Sequence, residues 1–232
     1  MPSPTLENLS GFAVDLGGTK VAAAAVENGE VIDVLVRRTN GDAGPQQLVS
    51  DLAEISREIG FRTGEPIGVA VAGRLDARGL WSAVNTSILK NLTDLPLTEC
   101  LHDSLGSGVV SLNDTRAAAI GEYHYGAAQG SDALAYLTVS TGISAGLMLN
   151  GRPLESPNGL LGHVGFMTSN RGNAQCGSGR VATYESIASG RAIAARAKDL
   201  GHPNMDAEEV FKCAAAGTQW AQEIIDVSAA AI

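Results

Sequence analysis

Between residues 12 and 36 the chain reads apolar, turn, apolar: "FAVDL" runs into the glycine turn "GGT", and "KVAAAAVENGEVIDVLV" then alternates around Val31, Val34 and Val36 across Asn28-Gly29. Period-two alternation broken by Asn-Gly predicts a β-meander whose first two strands are joined by the glycine turn. In "PQQLVSDLAEISREIGFRTG" the apolar positions Leu48, Leu52, Ile55 and Ile59 recur at helical period and stop at Gly60 and Gly64, the pattern of an amphipathic helix. "PIGVAVAG" and "SGVVSLND" read as short buried strands that deliver polar or flexible groups at their carboxyl ends, where open α/β sheets place ligands. The alanine-rich "TRAAAIGEYHYGAAQG" predicts a helix. "ALAYLTVSTGISAGLMLNGRPL" then repeats the opening plan of strand, hydroxyl and glycine turn, strand and Asn-Gly turn. From "YESIASGRAIAARAKDL" onward the pattern is helical, and "TQWAQEIIDVSAAAI" stops without a breaker, so the sequence reads as unfinished.

The repeated β-turn-β unit, at residues 12 to 36 and 134 to 154, predicts two related domains facing each other across a cleft. The expected division is a loose leader at 1–10, an N-terminal α/β domain at 11–115 and an incomplete C-terminal α/β domain at 116–232. A chain of 232 residues, 44% of them apolar, can bury a full core. A net charge of -9 without clustered Lys or Arg argues against nucleic-acid binding. Cys100, Cys176 and Cys213 are odd in number and widely spaced, which speaks against a disulfide framework and for a cytoplasmic setting. No apolar stretch is long enough to cross a bilayer, so no membrane partner is expected.

The chemistry gathers at the turns. In "DLGGT", Asp15 precedes Gly17, Gly18 and Thr19; bare glycines let backbone N–H groups approach an anion, the threonine adds a hydroxyl, and the aspartate suits a hydrated Mg²⁺ near phosphates. Alone, so short a motif reads equally well as a plain hairpin turn. The second turn, Ser140, Thr141 and Gly142, turns the pair into the two halves of an ATP clamp. Between them Asn113 and Asp114 stand at a strand end, where an aspartate can accept a proton from a substrate hydroxyl or merely cap the following helix. His124, between two tyrosines, reads as helix surface or packing, and Trp81 and Trp220 as core or interface anchors.

In order, "VDLGGTK", "VAGRLD", "LNDTRAAAIGE", "TVSTG", "GLLGHVG" and "ESIASGRAIA" resemble the ROK family of sugar kinases and transcriptional repressors, over residues 12 to about 194. Among its branches the chain is most similar to the bacterial N-acetylmannosamine kinases, which share Leu160 where much of the family has glutamate. The resemblance implies an actin-like ATPase (ribonuclease H-like) α/β fold, a cytoplasmic homodimer, and ATP- and Mg²⁺-dependent phosphorylation of N-acetylmannosamine to its 6-phosphate in sialic acid catabolism. Carried over by position, Asp114 is the general base. Gly73, Arg74, Asn85, Asn113, His163 and Glu185 line the sugar site, though Asn85 reads equally as a turn residue. Asp15, Gly17, Gly18, Thr19, Lys20, Ser140, Thr141 and Gly142 face nucleotide and metal.

Three departures qualify this picture. The family's zinc pattern, a histidine plus Cys-x-Cys-Gly-x-x-Gly-Cys-x-Glu, is reduced here to His163 and Cys176, with Ser178 and Thr183 at the other two cysteine positions; no zinc is expected, because hydroxyls replace thiolates poorly. Without a metal, the loop "FMTSNRGNAQCGSGR" should be more mobile or be held by other packing. Ser144 and Ala145 stand where many relatives have glycine, and are expected to reposition the second phosphate turn. The sequence also stops before the family's glycine-rich adenosine-binding segment. A glucokinase-type hexose kinase is the alternative in the same class, and a non-catalytic sugar-binding protein the alternative outside it. A DNA-binding regulator is disfavoured because ten residues before the first strand leave no room for a helix-turn-helix.

Overall fold

The computed structural model describes residues 8–85, 88–106, 108–172 and 174–232. Strands β1 (Gly11–Leu16), β2 (Lys20–Glu27) and β3 (Glu30–Arg38) form the meander, and Asn28 and Gly29 both take positive φ, 51° and 82°, as a two-residue hairpin turn requires. Residues 1–7 of the expected leader lie outside the described residues. The rest of it is not loose: the Gly29 N–H donates to the Leu9 carbonyl at 2.8 Å and the Asn28 N–H to Ser10 Oγ at 3.0 Å. The chain is thus tied down before β1 begins.

Helix α1 (Pro45–Glu58) opens on proline, which needs no N–H partner there, and buries Leu48, Leu52 and Ile55. It is followed by β4 (Ile67–Val71), the short strands β5 (Arg74–Leu75), β6 (Leu80–Ser82) and β7 (Leu95–Pro96), and helix α2 (Leu97–Leu105). Strand β8 (Val109–Asn113) runs directly into helix α3 (Asp114–Tyr125). The five-stranded sheet has the order β3-β2-β1-β4-β8, with β1 antiparallel to β2 but parallel to β4, and β4 parallel to β8. Its core face packs Val14, Leu16, Val69 and Val71 with residues of α1 and α2 and with the fully buried Trp81. The opposite face carries the small residues Ala13, Ala22, Ala24, Gly68 and Ala70, flanked by exposed Val34 and Val110.

Strands β9 (Ala133–Val139), β10 (Ile143–Leu149) and β11 (Arg152–Pro153) form a second sheet, in the order β11-β10-β9, with a second positive-φ Asn-Gly turn at Asn150-Gly151. The remaining helices are α4 (Tyr184–Ala188), α5 (Gly190–Asp199), α6 (Ala207–Ala215) and α7 (Gln219–Ala229). The continuous helical pattern of "YESIASGRAIA" breaks in two because Ser189 turns its Oγ to the Ala192 N–H, starting a new helix, while the Gly190 N–H donates to the Ser140 carbonyl at 2.8 Å.

The chain divides into two compact units, residues 1–136 with 146–161, and residues 137–145 with 162–232. This division differs from a single boundary at residue 115, because α3 and the segment 146–161 pack together. A Cβ on Gly146 would lie 2.4 Å from the Thr115 carbonyl, the Gly151 N–H donates to Tyr123 Oη at 3.0 Å, and Arg116 pairs with Glu155 at 2.5 Å. The core of the second unit is helical, built from Ile193, Ala197, Val210, Ala221 and Ile224 of α5, α6 and α7. Beside it His202 stacks on Trp220, ring centroids 4.0 Å apart.

Candidate functional site

In the first unit, the parallel register aligns Leu16 with Val71 and Val71 with Asn113. The three strands β1, β4 and β8 therefore end on one edge, and the groups that leave it are Gly17 and Gly18, Gly73, and Asp114. Each is fixed by a different local cause. The first turn is closed by the Gly17 N–H donating to the Lys20 carbonyl at 2.9 Å and by Thr39 Oγ1 donating to the Gly17 carbonyl at 2.8 Å. A Cβ on Gly18 would meet Ile88 at 2.3 Å, so this glycine serves packing as well as backbone access. Thr19 and Lys20 are exposed.

Gly73 has a φ of 103°, and a Cβ there would come within 2.7 Å of the Ser82 carbonyl. Just before it, Trp81 Nε1 donates to the Ala72 carbonyl at 2.8 Å. Just after it, the Asn113 side-chain amide donates to the Gly73 carbonyl at 3.0 Å. The helix cap at α3 belongs to Asn113, whose Oδ1 accepts the Arg116 N–H, and not to Asp114. Asp114 instead gathers on one oxygen, Oδ1, the Thr115 N–H at 2.7 Å and the Asn113 amide at 2.8 Å. Burial pushes its carboxyl pKa above the ordinary range, and these hydrogen bonds offset only part of that rise.

Asp15 is also raised, first by desolvation among the surrounding protein atoms and then by the charge of Asp114, against a smaller pull from Lys20. Its side chain nevertheless remains reachable by solvent. Asp15 is an exposed carboxylate at the end of β1, beside the glycine turn, and such an oxygen donor fits a hydrated Mg²⁺. Arg74 is half-buried and is held through Nη2, which donates to Asp94 Oδ1 at 2.9 Å and to Ser82 Oγ at 3.0 Å. Neither Asp94 nor Ser82 was signalled by any local pattern; Asp94, at φ 47°, meets Arg74 only because β6 and the turn before β7 fold back on β5. The Asn85 carbonyl accepts the Ile88 N–H at 3.2 Å and the Leu89 N–H at 3.4 Å.

The other sequence-derived candidates belong to the second unit. Ser140, Thr141 and Gly142 form the turn between β9 and β10, closed by the Ser140 N–H donating to the Gly142 carbonyl at 2.9 Å, with both hydroxyl residues exposed. Behind it stands the buried Glu185: Oε2 accepts the Ile143 N–H and Oε1 the Gly177 N–H, each at 3.3 Å. A Cβ on Gly142 would lie 2.6 Å from Glu185 Oε2, so the glycine leaves room for the carboxylate. Ser144 and Ala145 do not enter this turn. Both lie in β10, the Ser144 hydroxyl donates to the Gly162 carbonyl at 3.2 Å and the Ala145 N–H to the same oxygen at 2.7 Å, so the expected intrusion on the phosphate turn is corrected. His163 stacks on Phe166 at 5.9 Å.

The loop after Phe166 is held by hydrogen bonding. Thr168 bridges Thr183, Gln175 bridges Val181, and the Ser169 N–H donates to the Ala182 carbonyl at 2.8 Å. Cys176 Sγ lies 3.1 Å from Ser178 Oγ, and Thr183 heads α4 in a capping box with Ser186. Burial pushes the Cys176 thiol up, but hydrogen bonds from Ser178 and Thr183 outweigh it and leave its pKa lowered. Among the described residues, no group of three or more His, Cys, Asp or Glu side chains is placed to hold a metal.

The ROK family profile matches residues 11–232. The chain belongs to the ROK family. It is 36% identical over 226 residues to the N-acetylmannosamine kinase of Yersinia pseudotuberculosis, covering 96% of this chain and 75% of that protein. It is equally identical, over 214 residues, to the bifunctional enzyme NanE/NanK of Brucella melitensis, of whose length it spans only 39%. Among solved structures, the ROK hexokinase of Thermus thermophilus superposes with a TM-score of 0.74 at 34% identity, over 95% of this chain and 74% of that one. A ROK family glucokinase of Streptomyces griseus, solved with glucose and AMPPNP, gives 0.79 at 26% identity, over 93% and 74%. The ROK chain here accordingly has the actin-like ATPase fold, with the meander and the parallel strands β4 and β8 as its first half.

Proposed function

We propose that this chain carries the catalytic part of an ATP-dependent sugar kinase that transfers the γ-phosphoryl group to the 6-hydroxyl of an N-acylated hexosamine, N-acetylmannosamine first. The observation that carries the reading is Asp114 at the end of β8, freed from capping by Asn113 and raised in pKa by burial. A carboxylate so placed accepts the proton of the sugar hydroxyl as its oxygen attacks the γ-phosphorus, while the bond to the β-phosphate oxygen breaks and ADP leaves. Asn113 ties Asp114 to Gly73 and so sets the distance between base and substrate floor.

On this reading the N–H groups of Gly17 and Gly18, with Thr19 and Lys20, and the turn Ser140–Gly142 hold the phosphates. Mg²⁺, when bound beside Asp15, offsets charge on the transferring group. Gly73, Arg74, Asn85, Asn113, His163 and Glu185 are proposed to shape the sugar site, Arg74 through its fixed backbone as much as through its paired guanidinium. The choice of N-acetylmannosamine is supported by the 36% identical kinases of that name, and a homodimer is proposed on the family resemblance alone. Glucose is the second reading, favoured by the glucokinase neighbour that binds glucose.

A coupled assay of ADP release across N-acetylmannosamine, N-acetylglucosamine and glucose tests this. The expected result is the highest kcat/KM on N-acetylmannosamine. Preference for glucose selects the second reading, and sugar binding without turnover on any of the three contradicts both.

A further inference from the structure

The second unit contains a cavity of about 380 Å³ lined by residues 171–172 and 174–177 and by residues of helices α4, α5 and α7. Its lining includes three arginines, Arg171 before α4 and Arg191 and Arg196 in α5. Arg196 is the telling one. It is half-buried, and among the described residues its side chain hydrogen-bonds to a hydroxyl, Ser228 Oγ, to which Nη1 donates at 3.1 Å. Neither Arg171 nor Arg196 forms an ion pair among the described residues. Asp199, three residues on, does not approach Arg196 within ion-pair distance. The one buried acid in the wall, Glu185, has both oxygens turned to the backbone N–H groups of Ile143 and Gly177.

A guanidinium withdrawn from water without a counter-charge is unfavourable unless an anion completes it. Arginines lining one space suit a tetrahedral oxyanion, because a guanidinium fork gives two directed N–H bonds. We propose that this cavity, lined by no residue of either glycine turn, is an anion site that takes phosphate or the phosphate group of a small phosphate ester. Its volume leaves room beside the phosphate for a sugar-sized group. Burial of Arg196 also lowers its pKa below the ordinary arginine range.

The test titrates inorganic phosphate, and separately a hexosamine 6-phosphate, at constant ionic strength, following thermal unfolding and calorimetric binding in the unaltered chain and in the variants Arg171→Gln and Arg196→Met. The expected result is saturable stabilisation, weakened about tenfold in Arg171→Gln, the loss that follows from one charge-assisted partner, and abolished in Arg196→Met. Tighter binding of the ester identifies it as the occupant, and equal binding identifies phosphate. Arg171 is exposed, so its variant folds whatever becomes of the other. A response equal in all three proteins, or none beyond that of chloride, overturns the proposal.

Discussion

The chain builds two strand–turn–strand units from nearly the same recipe, Gly17–Thr19 after β1 and Ser140–Gly142 after β9, yet supports them differently. The first turn is pinned from the side, by Thr39 on its carbonyl and Ile88 over Gly18, and the strand that leads into it carries a carboxylate, Asp15. The second is backed from behind, by the buried Glu185 and by the first residue of α5, and presents two hydroxyls. In the first, glycine makes room for an apolar side chain that can shift. In the second, it makes room for a carboxylate fixed by two N–H groups. The same residue type thus carries unequal weight in the two places.

Substitutions sharpen that contrast. Gly142→Ala should be the most damaging change in either turn, lowering stability by about 2–3 kcal/mol, because Glu185 must leave the Ile143 N–H or the turn must move. Denaturant unfolding of Gly142→Ala, Glu185→Ala and the double variant should show strong non-additivity; simple additivity would break the account of the second turn. Gly73→Ala, at positive φ against the Ser82 carbonyl, should cost about 2 kcal/mol, again by denaturant unfolding. Gly17→Ala, whose Cβ meets only the Lys20 carbonyl at 3.3 Å, should stay within about 1 kcal/mol of the unaltered chain.

Smaller effects follow from the strand-end acids and the loop. Asp15 and Asp114 bind protons more readily folded than unfolded, so their charges oppose folding above the raised pKa values, and this penalty fades as pH falls through them. Asp15→Asn should therefore raise the Tm of the ligand-free chain slightly at neutral pH and leave it unchanged under strong acid. A Tm lowered at neutral pH would mean that Asp15 is instead stabilised by a partner. Smallest is Ala182→Gly. Ala182 holds φ at 56°, where the family pattern has glycine, and relief of that strain should stabilise by about 1 kcal/mol in denaturant unfolding.

Much of this was legible in the residues. Both Asn-Gly turns, the meander, α1 and the strands ending at Val71 and Asn113 follow from local periodicity and turn chemistry, which act over a few residues. The partners of the site did not. Asp94 reaches Arg74 across twenty positions, Glu185 reaches Ile143 across forty-two, and Ile88 covers Gly18 from a segment with no pattern of its own. The split of α4 from α5 was hidden for the same reason: the Ser140 carbonyl that claims the Gly190 N–H lies fifty residues away. Likewise the replacement of thiolates by Ser178 and Thr183 announced the loss of a zinc pattern, but not that both hydroxyls would bond the remaining sulfur.

The central claim is that Asp114 accepts the proton of the sugar hydroxyl. The direct measurement sets Asp114→Asn beside the unaltered chain, with turnover by ADP release and N-acetylmannosamine binding by calorimetry on the same preparations. The account predicts a fall in kcat of about 10²–10⁴-fold with sugar binding kept within a few fold, and an acid limb in the unaltered chain lying above the ordinary aspartate pKa. Turnover unchanged in Asp114→Asn, with binding intact, would contradict it.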